Sequence, residues 1–300
     1  NGMTARSQHQ MNSVTKSFVG TLALVLAERG ELDLQAPLTQ YIPELKDSGW
    51  DDSSVQQVLD MTTGIKFSED YTDPEAEFFD YAFAAGLGVF TDDYKGPRSI
   101  YQFLSQMTRE RPDGAGFQYI SPNSDILGWV LARASGKRLA QLLEEEIWSK
   151  LGVERDAYVL LDRTGTEIHS GGLNISVRDA ARFGQMILQK GHYNGQQVIP
   201  KSTAERILKS GDPKPFNAIY QLPWFEKIGY AYHDQWWTMN NEHKAVTAIG
   251  IHGQWIYIDP IAEVVIARQS SDPEAEGEVN EVVGPQVYHA IAKELMKSNH

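Results

Sequence analysis

The sequence predicts an α+β protein, in which antiparallel strands are grouped together beside a separate, mostly helical region. The last third of the chain holds successive runs rich in β-branched and aromatic residues, namely "KIGYAYHDQWWTM", "KAVTAIGI", "QWIYID" and "EVVIARQ". Such runs indicate antiparallel strands. The middle of the chain shows helical periodicity with capping signals instead. Strands grouped apart from helices favour α+β over an alternating α/β fold.

The first predicted helix runs from about Ser13 to Ala27 and is apolar on nearly all faces, which indicates full burial. A second helix is expected in "DDSSVQQVLDMTTG", ending at Gly64. Further helices are expected at about 98–109, 122–135, 138–150, 177–190 and 285–296. Residues 66–98 are acidic, aromatic and without clean periodicity, and loops of this length in compact domains are functional or disordered.

We expect a single domain over residues 1–300, with a mostly helical subregion at about 50–200 and sheet strands at about 220–270. Three hundred residues can bury a sizeable core within one domain. Neither a fixed-period repeat nor a low-complexity linker divides the chain.

The charge balance excludes two classes of partner. Forty acidic against 27 basic side chains give a net charge of −13. Nucleic-acid binding needs basic patches that neutralise phosphates, so no nucleic acid is expected. The acidic surface also disfavours an anionic membrane, and the longest apolar run is only about half a membrane span. A small molecule is the expected partner, with a homo-oligomer as an open alternative.

The absence of cysteine excludes disulfides, thiolate catalysis and cysteine metal sites. No metal site or cofactor is expected, because the histidine and carboxylate spacings match no metal motif. No signal peptide is visible in the chain. Both the cytoplasm and the periplasm suit a cysteine-free protein, so the compartment stays open.

The candidate catalytic motif is Ser13-Val14-Thr15-Lys16, at the start of the first helix. Residues three apart on a helix share a face, so a lysine there can take the proton of the serine if burial lowers the lysine pKa. The helix N-terminus favours negative charge developing near Ser13. Ser-x-x-Lys also occurs by chance, so by itself the motif does not establish catalysis.

A set of further motifs, in order along nearly the whole chain, makes the sequence resemble the serine β-lactamase and penicillin-binding-protein superfamily, in its class C and esterase branch. The set comprises "SVTKSF", "VQQVLDMTTG", Tyr119-Ile120-Ser121, "LGWVLARASGK", "GGLNISVRDAARFGQMIL", "NGQQVIP" and "GIHGQWIYIDP". Within this superfamily the chain most resembles the 6-aminohexanoate-oligomer hydrolases. They have a similar segment at the third motif of the family, which in this chain is "AIGIHGQ".

The resemblance implies a β-lactamase-like fold, in which an antiparallel sheet is flanked by helices and joined to a mostly helical region. It also implies a role for each of several residues. Ser13 is the implied nucleophile, Lys16 its base or the partner of the base, and Tyr119 the proton shuttle to the leaving group. The implied oxyanion hole is formed by the backbone N–H groups of Ser13 and Ile251. Ser121 stands where many relatives have asparagine. Without the resemblance, an ordinary core aromatic would be the favoured interpretation of Tyr119.

The chain departs from the family pattern in two places. Ala248-Ile249-Gly250 replaces the Lys-Thr-Gly triplet of the family, which binds the carboxylate of β-lactams in the lactamases. This replacement makes β-lactam hydrolysis a less expected activity. Relatives also place strands of the sheet before the serine, and these N-terminal strands are expected to be absent from this chain.

Four further residues are candidates for the substrate pocket or its wall: Tyr71, Ser121, Trp237 and His252. His252 can either line the pocket or be a hydrogen-bonded core histidine, and Trp237 can be core or wall. For Glu69, Asp70, Tyr71 and Asp73, a solvated surface competes with a loop that closes over the site and offers a carboxylate to an amine-bearing substrate. His169 is expected in a structural turn.

The predicted activity is a serine hydrolase that cleaves a carboxylic ester or amide through an acyl-enzyme on Ser13. A short-chain carboxylesterase is the first expectation, and an amidase on 6-aminohexanoate-like small oligomers is the second. The remaining alternative is a β-lactam-recognising hydrolase or a protein that is acylated once without turnover.

Overall fold

The computed structural model describes residues 2–88, 94–219 and 229–298. Its helices are α1 (Val14–Glu28), α2 (Val55–Leu59), α3 (Glu77–Ala84), α4 (Ile100–Gln106), α5 (Ser121–Ser135), α6 (Leu139–Glu146), α7 (Val177–Leu188), α8 (Lys201–Ile207), α9 (Pro213–Ile219) and α10 (Gly284–Ser298). Its strands are β1 (Gln8–Gln10), β2 (Tyr158–Val159), β3 (Leu173–Ser176), β4 (His192–Tyr193), β5 (Gln196–Gln197), β6 (Tyr230–His233), β7 (Trp236–Met239), β8 (Val246–Gly250), β9 (Gln254–Asp259) and β10 (Val264–Arg268). None of these helices meets the length and hydropathy needed to cross a membrane.

Within the part of the chain that the structure describes, the main sheet has five antiparallel strands in the order β10-β9-β8-β7-β6, so each strand pairs with its neighbour in sequence. The segment "KIGYAYHDQWWTM" holds two of these strands rather than one. Asp234 and Gln235 both adopt left-handed backbone angles, with φ of 54° and 65°, and close a tight hairpin between β6 and β7. Residues 227 and 228 of that segment lie outside the described residues.

Helix α1 forms the centre of the hydrophobic core. Every side chain from Val14 to Leu26 is buried, as its apolar sequence predicts. Phe18 stacks on Phe183 of α7 with ring centroids 3.7 Å apart, so α1 packs between the helical region and the sheet. Its end is fixed by Gly30, whose φ of +74° allows two closing hydrogen bonds, to Ala27 O and from the next residue to Leu26 O.

The helical region differs from the prediction in detail. Helix α2 covers only residues 55–59, beginning at a capping box made by Ser54 and Gln57. The segment 66–98 contains helix α3, which its local sequence did not indicate, while residues 89–93 lie outside the described residues. A small sheet in the order β1-β3-β2 and the helices α8 and α9 were also not predicted. The single-domain division itself stays a prediction.

Candidate active site

Ser13 lies at the N-terminal end of α1, where the chain turns sharply into the helix. The preceding residue, Asn12, has a left-handed φ of 48°, a region that asparagine tolerates better than most residues. The Asn12 side chain donates a hydrogen bond of 3.0 Å to the carbonyl of Ile251, which follows β8. Ser13 is only half-buried, whereas the residues after it are buried. The turn therefore presents the Ser13 hydroxyl at an accessible edge of the core.

Lys16 lies one helical turn after Ser13 and is almost fully buried, at 1% exposure. Its Nζ donates hydrogen bonds to Ser13 Oγ at 3.0 Å, to Ser121 Oγ at 3.0 Å and to the backbone carbonyl of Ser170 at 2.8 Å. These three acceptors match the three donors of an ammonium group. The predicted shared face of Ser13 and Lys16 is thus observed, with a direct contact between the two side chains.

Burial lowers the pKa of Lys16 to about 8, because the apolar surroundings disfavour the charged ammonium. The carboxylates of Glu69 and Asp125 oppose this fall by stabilising the positive charge. A lysine with a pKa near 8 is neutral in about a tenth of the molecules at pH 7 and in most of them above pH 8. Such an amine can accept a proton, which an ordinary surface lysine does not.

Tyr119 is the third side chain that meets Ser13 and Lys16. Its hydroxyl is hydrogen-bonded to the side chain of Ser13, and its ring centroid lies 5.1 Å from Lys16 Nζ. The ring stacks on Trp237 of β7, with centroids 5.3 Å apart. Burial raises the pKa of Tyr119 well above its usual value, so its hydroxyl stays protonated as a donor.

Glu69 joins the acidic segment to this site. Its Oε1 accepts hydrogen bonds from Ser121 Oγ at 2.5 Å and from the Tyr71 hydroxyl at 2.8 Å, and its other oxygen accepts from the Ser121 backbone N–H. Burial raises the pKa of Glu69, and the positive charge of Lys16 opposes that rise. Asp70 and Asp73 of the same segment are exposed. The segment therefore divides into residues that face the site and residues that face solvent.

Asp125 was not predicted as a site residue, yet it holds the backbone that Lys16 binds. It is completely buried on α5 and accepts hydrogen bonds from the Tyr81 hydroxyl at 2.5 Å and from the backbone N–H groups of His169 and Ser170, at 2.7 and 3.2 Å. This fixes the turn whose Ser170 carbonyl accepts from Lys16. His169 lies in a turn, as expected. The only sequence signal was an aspartate within the apolar face of α5.

The end of β8 approaches the nucleophile closely. A Cβ atom added to Gly250 would lie 2.4 Å from the carbonyl oxygen of Met11 and 3.1 Å from the backbone nitrogen of Ser13. No side chain fits there without moving one of the two segments. The next residue, Ile251, thus lies beside Ser13, where the resemblance places the second oxyanion donor.

His252 continues the turn after Ile251 with a left-handed φ of 62°. Its Nδ1 forms a hydrogen bond of 2.8 Å with the carbonyl of Asp272, and its backbone N–H donates to the carbonyl of Ala275 at 2.9 Å. His252 is thus hydrogen-bonded but only half-buried, and its place in the substrate pocket stays a prediction. These contacts also attach residues 272–275 to the turn beside the site.

We expect Gly250→Ala to lower kcat/KM for p-nitrophenyl butyrate by about 100-fold or more, because displacement of an oxyanion donor typically costs that much. The added methyl group must push β8 away from Ser13. The matched control is Gly284→Ala at the start of α10, where the nearest atom would lie 3.5 Å from the new Cβ. Steady-state kinetics on both variants, with circular dichroism to confirm folding, tests this. Equal activity in the two variants would contradict the close approach of β8.

The family model described as Beta-lactamase matches residues 1–282 of the chain. The chain belongs to the β-lactamase family. It is 36% identical over 275 residues to a 6-aminohexanoate-dimer hydrolase from Paenarthrobacter ureafaciens, covering 92% of this chain and 69% of the relative. It is 27% identical over 203 residues to the esterase EstB from Burkholderia gladioli, covering 65% of this chain and 50% of the esterase.

A solved structure from Bacillus anthracis, a candidate 6-aminohexanoate-dimer hydrolase, superposes with a TM-score of 0.88 at 34% identity, covering 99% of this chain and 75% of that one. The β-lactamase-like fold predicted from the motifs is confirmed. The prediction of a serine hydrolase is confirmed at the level of the family, whose members here include an amidase-type hydrolase and an esterase.

Proposed function

We propose that this protein hydrolyses small amides and esters through an acyl-enzyme formed on Ser13. The observation that carries the proposal is the meeting of three side chains. Ser13 Oγ accepts a 3.0 Å hydrogen bond from Lys16 Nζ and is hydrogen-bonded to the Tyr119 hydroxyl. A serine becomes a useful nucleophile when an adjacent base takes its proton, and here the base candidate has its pKa lowered to about 8.

In the proposed acylation, neutral Lys16 accepts the hydroxyl proton as Ser13 Oγ attacks the carbonyl carbon of the substrate. The carbonyl π electrons move to the oxygen, and the backbone N–H groups of Ser13 and Ile251 stabilise this oxyanion. Tyr119 then donates its proton to the leaving nitrogen or oxygen, the bond to the leaving group breaks, and the Lys16 ammonium returns a proton to Tyr119. In deacylation the Lys16–Tyr119 pair takes a proton from water as the water oxygen attacks the acyl carbon. The bond from this carbon to Ser13 Oγ then breaks, the pair returns the proton to Ser13, and the carboxylic acid leaves.

The proposed role of Ser121 and Glu69 is to orient Lys16 rather than to react. Ser121 Oγ donates to Glu69 and accepts from Lys16, so the hydroxyl links the carboxylate to the amine. Tyr71 is held at the same carboxylate and borders the site. Because Lys16 has three fixed acceptors, its Nζ stays within reach of Ser13 as the proton moves.

The charge around the site favours a substrate that carries an ammonium group. Glu276 follows Ala275, whose carbonyl is bound by the backbone of His252. Removal of water by the surrounding atoms raises the pKa of Glu276 to about 7, and repulsion from the carboxylates of Glu69 and Asp70 adds to the rise. Glu276 is exposed, so a substrate can reach its carboxylate, and no ion pair to it is found among the described residues. A substrate ammonium relieves that repulsion, which supports linear amides of amino acids, such as 6-aminohexanoate dimers, as the preferred class.

Short-chain carboxyl esters are the second candidate substrate. The wall beside Ser13 is aromatic, since Tyr119 contacts both Trp237 and Tyr232. Such a wall accepts an unbranched acyl chain without a charged partner. Ala248 stands where the lactamases carry a lysine, so the strand offers no cation to a β-lactam carboxylate.

We expect Glu276→Gln to raise KM for the linear 6-aminohexanoate dimer by roughly 3- to 5-fold, the size of a partly solvated ion pair. KM for uncharged p-nitrophenyl butyrate should stay unchanged. Since the raised pKa means that Glu276 ionises above about pH 7, KM for the dimer should fall as pH rises through 7 in the wild type and not in the variant.

The control for this experiment is Glu274→Gln, an exposed glutamate two residues away. Steady-state kinetics with both substrates at pH 6 to 8 separates the outcomes. An equal change for the two substrates, or no change for either, would contradict a role for Glu276 in binding the ammonium. Turnover of the ester alone would make the protein an esterase, and a single stoichiometric burst would make it an acylated binding protein.

A further inference from the structure

A second group of ionisable side chains lies at the opposite end of β8 from Ser13. We call it the Glu242 cluster, consisting of Glu242 and His243 in the turn between β7 and β8, and His289 on α10. One ligand atom from each residue lies within 4.8 Å of the others. His289 Nε2 is 3.2 Å from Glu242 Oε1, and His243 Nε2 is 3.9 Å from the same oxygen. Sequence analysis could not find this group, because His289 lies 47 residues after Glu242 in the chain.

The imidazole of His243 is fixed in one tautomer and orientation. Its Nδ1 lies 2.8 Å from Asp259 Oδ2. Asp259 is fully buried, and its other oxygen accepts from the backbone N–H groups of Ile261 and Ala262 at 3.1 and 2.8 Å. Because a carboxylate only accepts, Nδ1 carries a proton, which leaves Nε2 as the ring nitrogen that can bind a metal beside Glu242. A histidine oriented by a carboxylate in this way is typical of metal ligands.

His289 adds a second imidazole from α10. Its Nδ1 is shielded from solvent, has no hydrogen-bond partner among the described residues and lies 3.9 Å from Asp259 Oδ2. Coordination of a metal by Nε2 keeps the proton on Nδ1, where the Asp259 carboxylate stabilises it. The two histidines lie with ring centroids 4.5 Å apart, and both ε nitrogens approach the same oxygen of Glu242.

We propose that the Glu242 cluster is a binding site for a divalent transition-metal ion, with Zn²⁺ as the ion of choice. Two imidazole nitrogens and one carboxylate oxygen are ligands that Zn²⁺ prefers, with water as the fourth ligand. Tetrahedral zinc with bonds of about 2.0 Å needs ligand atoms about 3.3 Å apart. The 3.2 Å pair fits this separation, and exposed Glu242 can move to shorten the 3.9 Å pair.

Lys293 competes with a metal ion for the carboxylate of Glu242. Its Nζ donates a 2.6 Å hydrogen bond to Glu242 Oε1 from the next turn of α10. Half of the Lys293 side chain is exposed, so it can leave toward solvent when a metal binds. The metal then joins α10 to the turn before β8, and this link is independent of the activity proposed for Ser13.

The test is isothermal titration of the full chain with ZnCl₂ at pH 7.5, after removal of metals with a chelator, together with thermal unfolding. We expect one Zn²⁺ per chain and a higher Tm in the presence of zinc, because a ligand that binds only the folded state stabilises it. His289→Ala should weaken binding by at least about 10-fold, as expected for loss of one ligand of three. His192→Ala removes an exposed histidine elsewhere and should leave binding unchanged.

Lys293→Ala distinguishes most clearly between a metal site and a simple ion-pair network. If the cluster binds metal, loss of the competing ammonium tightens zinc binding. If the cluster is only an ion-pair network, the same change leaves zinc affinity unaffected. Glu242→Gln at an exposed position serves as the second ligand variant should His289→Ala fail to fold. Absence of saturable binding in the wild type, or equal affinity in the wild type and both ligand variants, would overturn the proposal.

Discussion

Replacement of Ser13 by alanine lowers kcat for p-nitrophenyl butyrate by about 10³-fold or more, because loss of the nucleophile leaves only binding and oxyanion stabilisation. The fold should be unaffected, since Ser13 is half-buried and its side chain caps no backbone group of α1. The measurement is the initial rate of nitrophenolate release, with thermal unfolding to confirm that both proteins are folded.

The matched control for Ser13→Ala is Ser202→Ala, an exposed serine near the start of α8. We expect the control to retain wild-type kcat and KM. Residual activity of Ser13→Ala within a few-fold of the wild type would exclude Ser13 as the nucleophile. A large loss in both variants would point to general damage to the protein.

The second large effect concerns Lys16 and pH. Burial lowers the Lys16 pKa to about 8, so the neutral amine that accepts the Ser13 proton becomes dominant only above that pH. We therefore expect kcat/KM for p-nitrophenyl butyrate to rise as pH increases through about 8 and then to level off. Lys16→Met should lose at least about 10³-fold in kcat/KM and lose this pH step, since no base remains.

The control for Lys16→Met is Lys201→Met, whose side chain is 64% exposed. This variant should keep both the rate and the pH profile. The profile is measured from pH 6 to 10 with correction for spontaneous ester hydrolysis. A Lys16→Met protein that retains the step near pH 8 would assign the titration to another group and contradict the proposed base.

The parts of the site that follow from short sequence separations could be predicted. Ser13 and Lys16 are one helical turn apart, so the helix alone brings them together. Tyr119 and Ile251 were placed only through the resemblance, because nothing in local periodicity links them to α1. The structure adds the contacts of Tyr119 with Ser13 and of Gly250 with the start of α1.

The remainder of the site depends on tertiary contacts that no local pattern carries. Glu69 meets Ser121 across 52 residues, and Lys16 meets the Ser170 carbonyl across 154. Asp125 is bound to Tyr81, which lies on a helix that formed within the segment predicted as a loop. Tyr81 is buried there among aromatic side chains, so α3 is stabilised by packing rather than by its own helical periodicity.

The most direct test of the central claim is to trap the acyl-enzyme. The wild-type protein is mixed with p-nitrophenyl butyrate, quenched with acid within the first turnover, digested and analysed by mass spectrometry. The account predicts a butyryl group on the peptide that contains Ser13, at near-stoichiometric burst amplitude, and none in Ser13→Ala. A butyryl group on a different residue, or turnover without any covalent adduct or burst in the wild type, would contradict it.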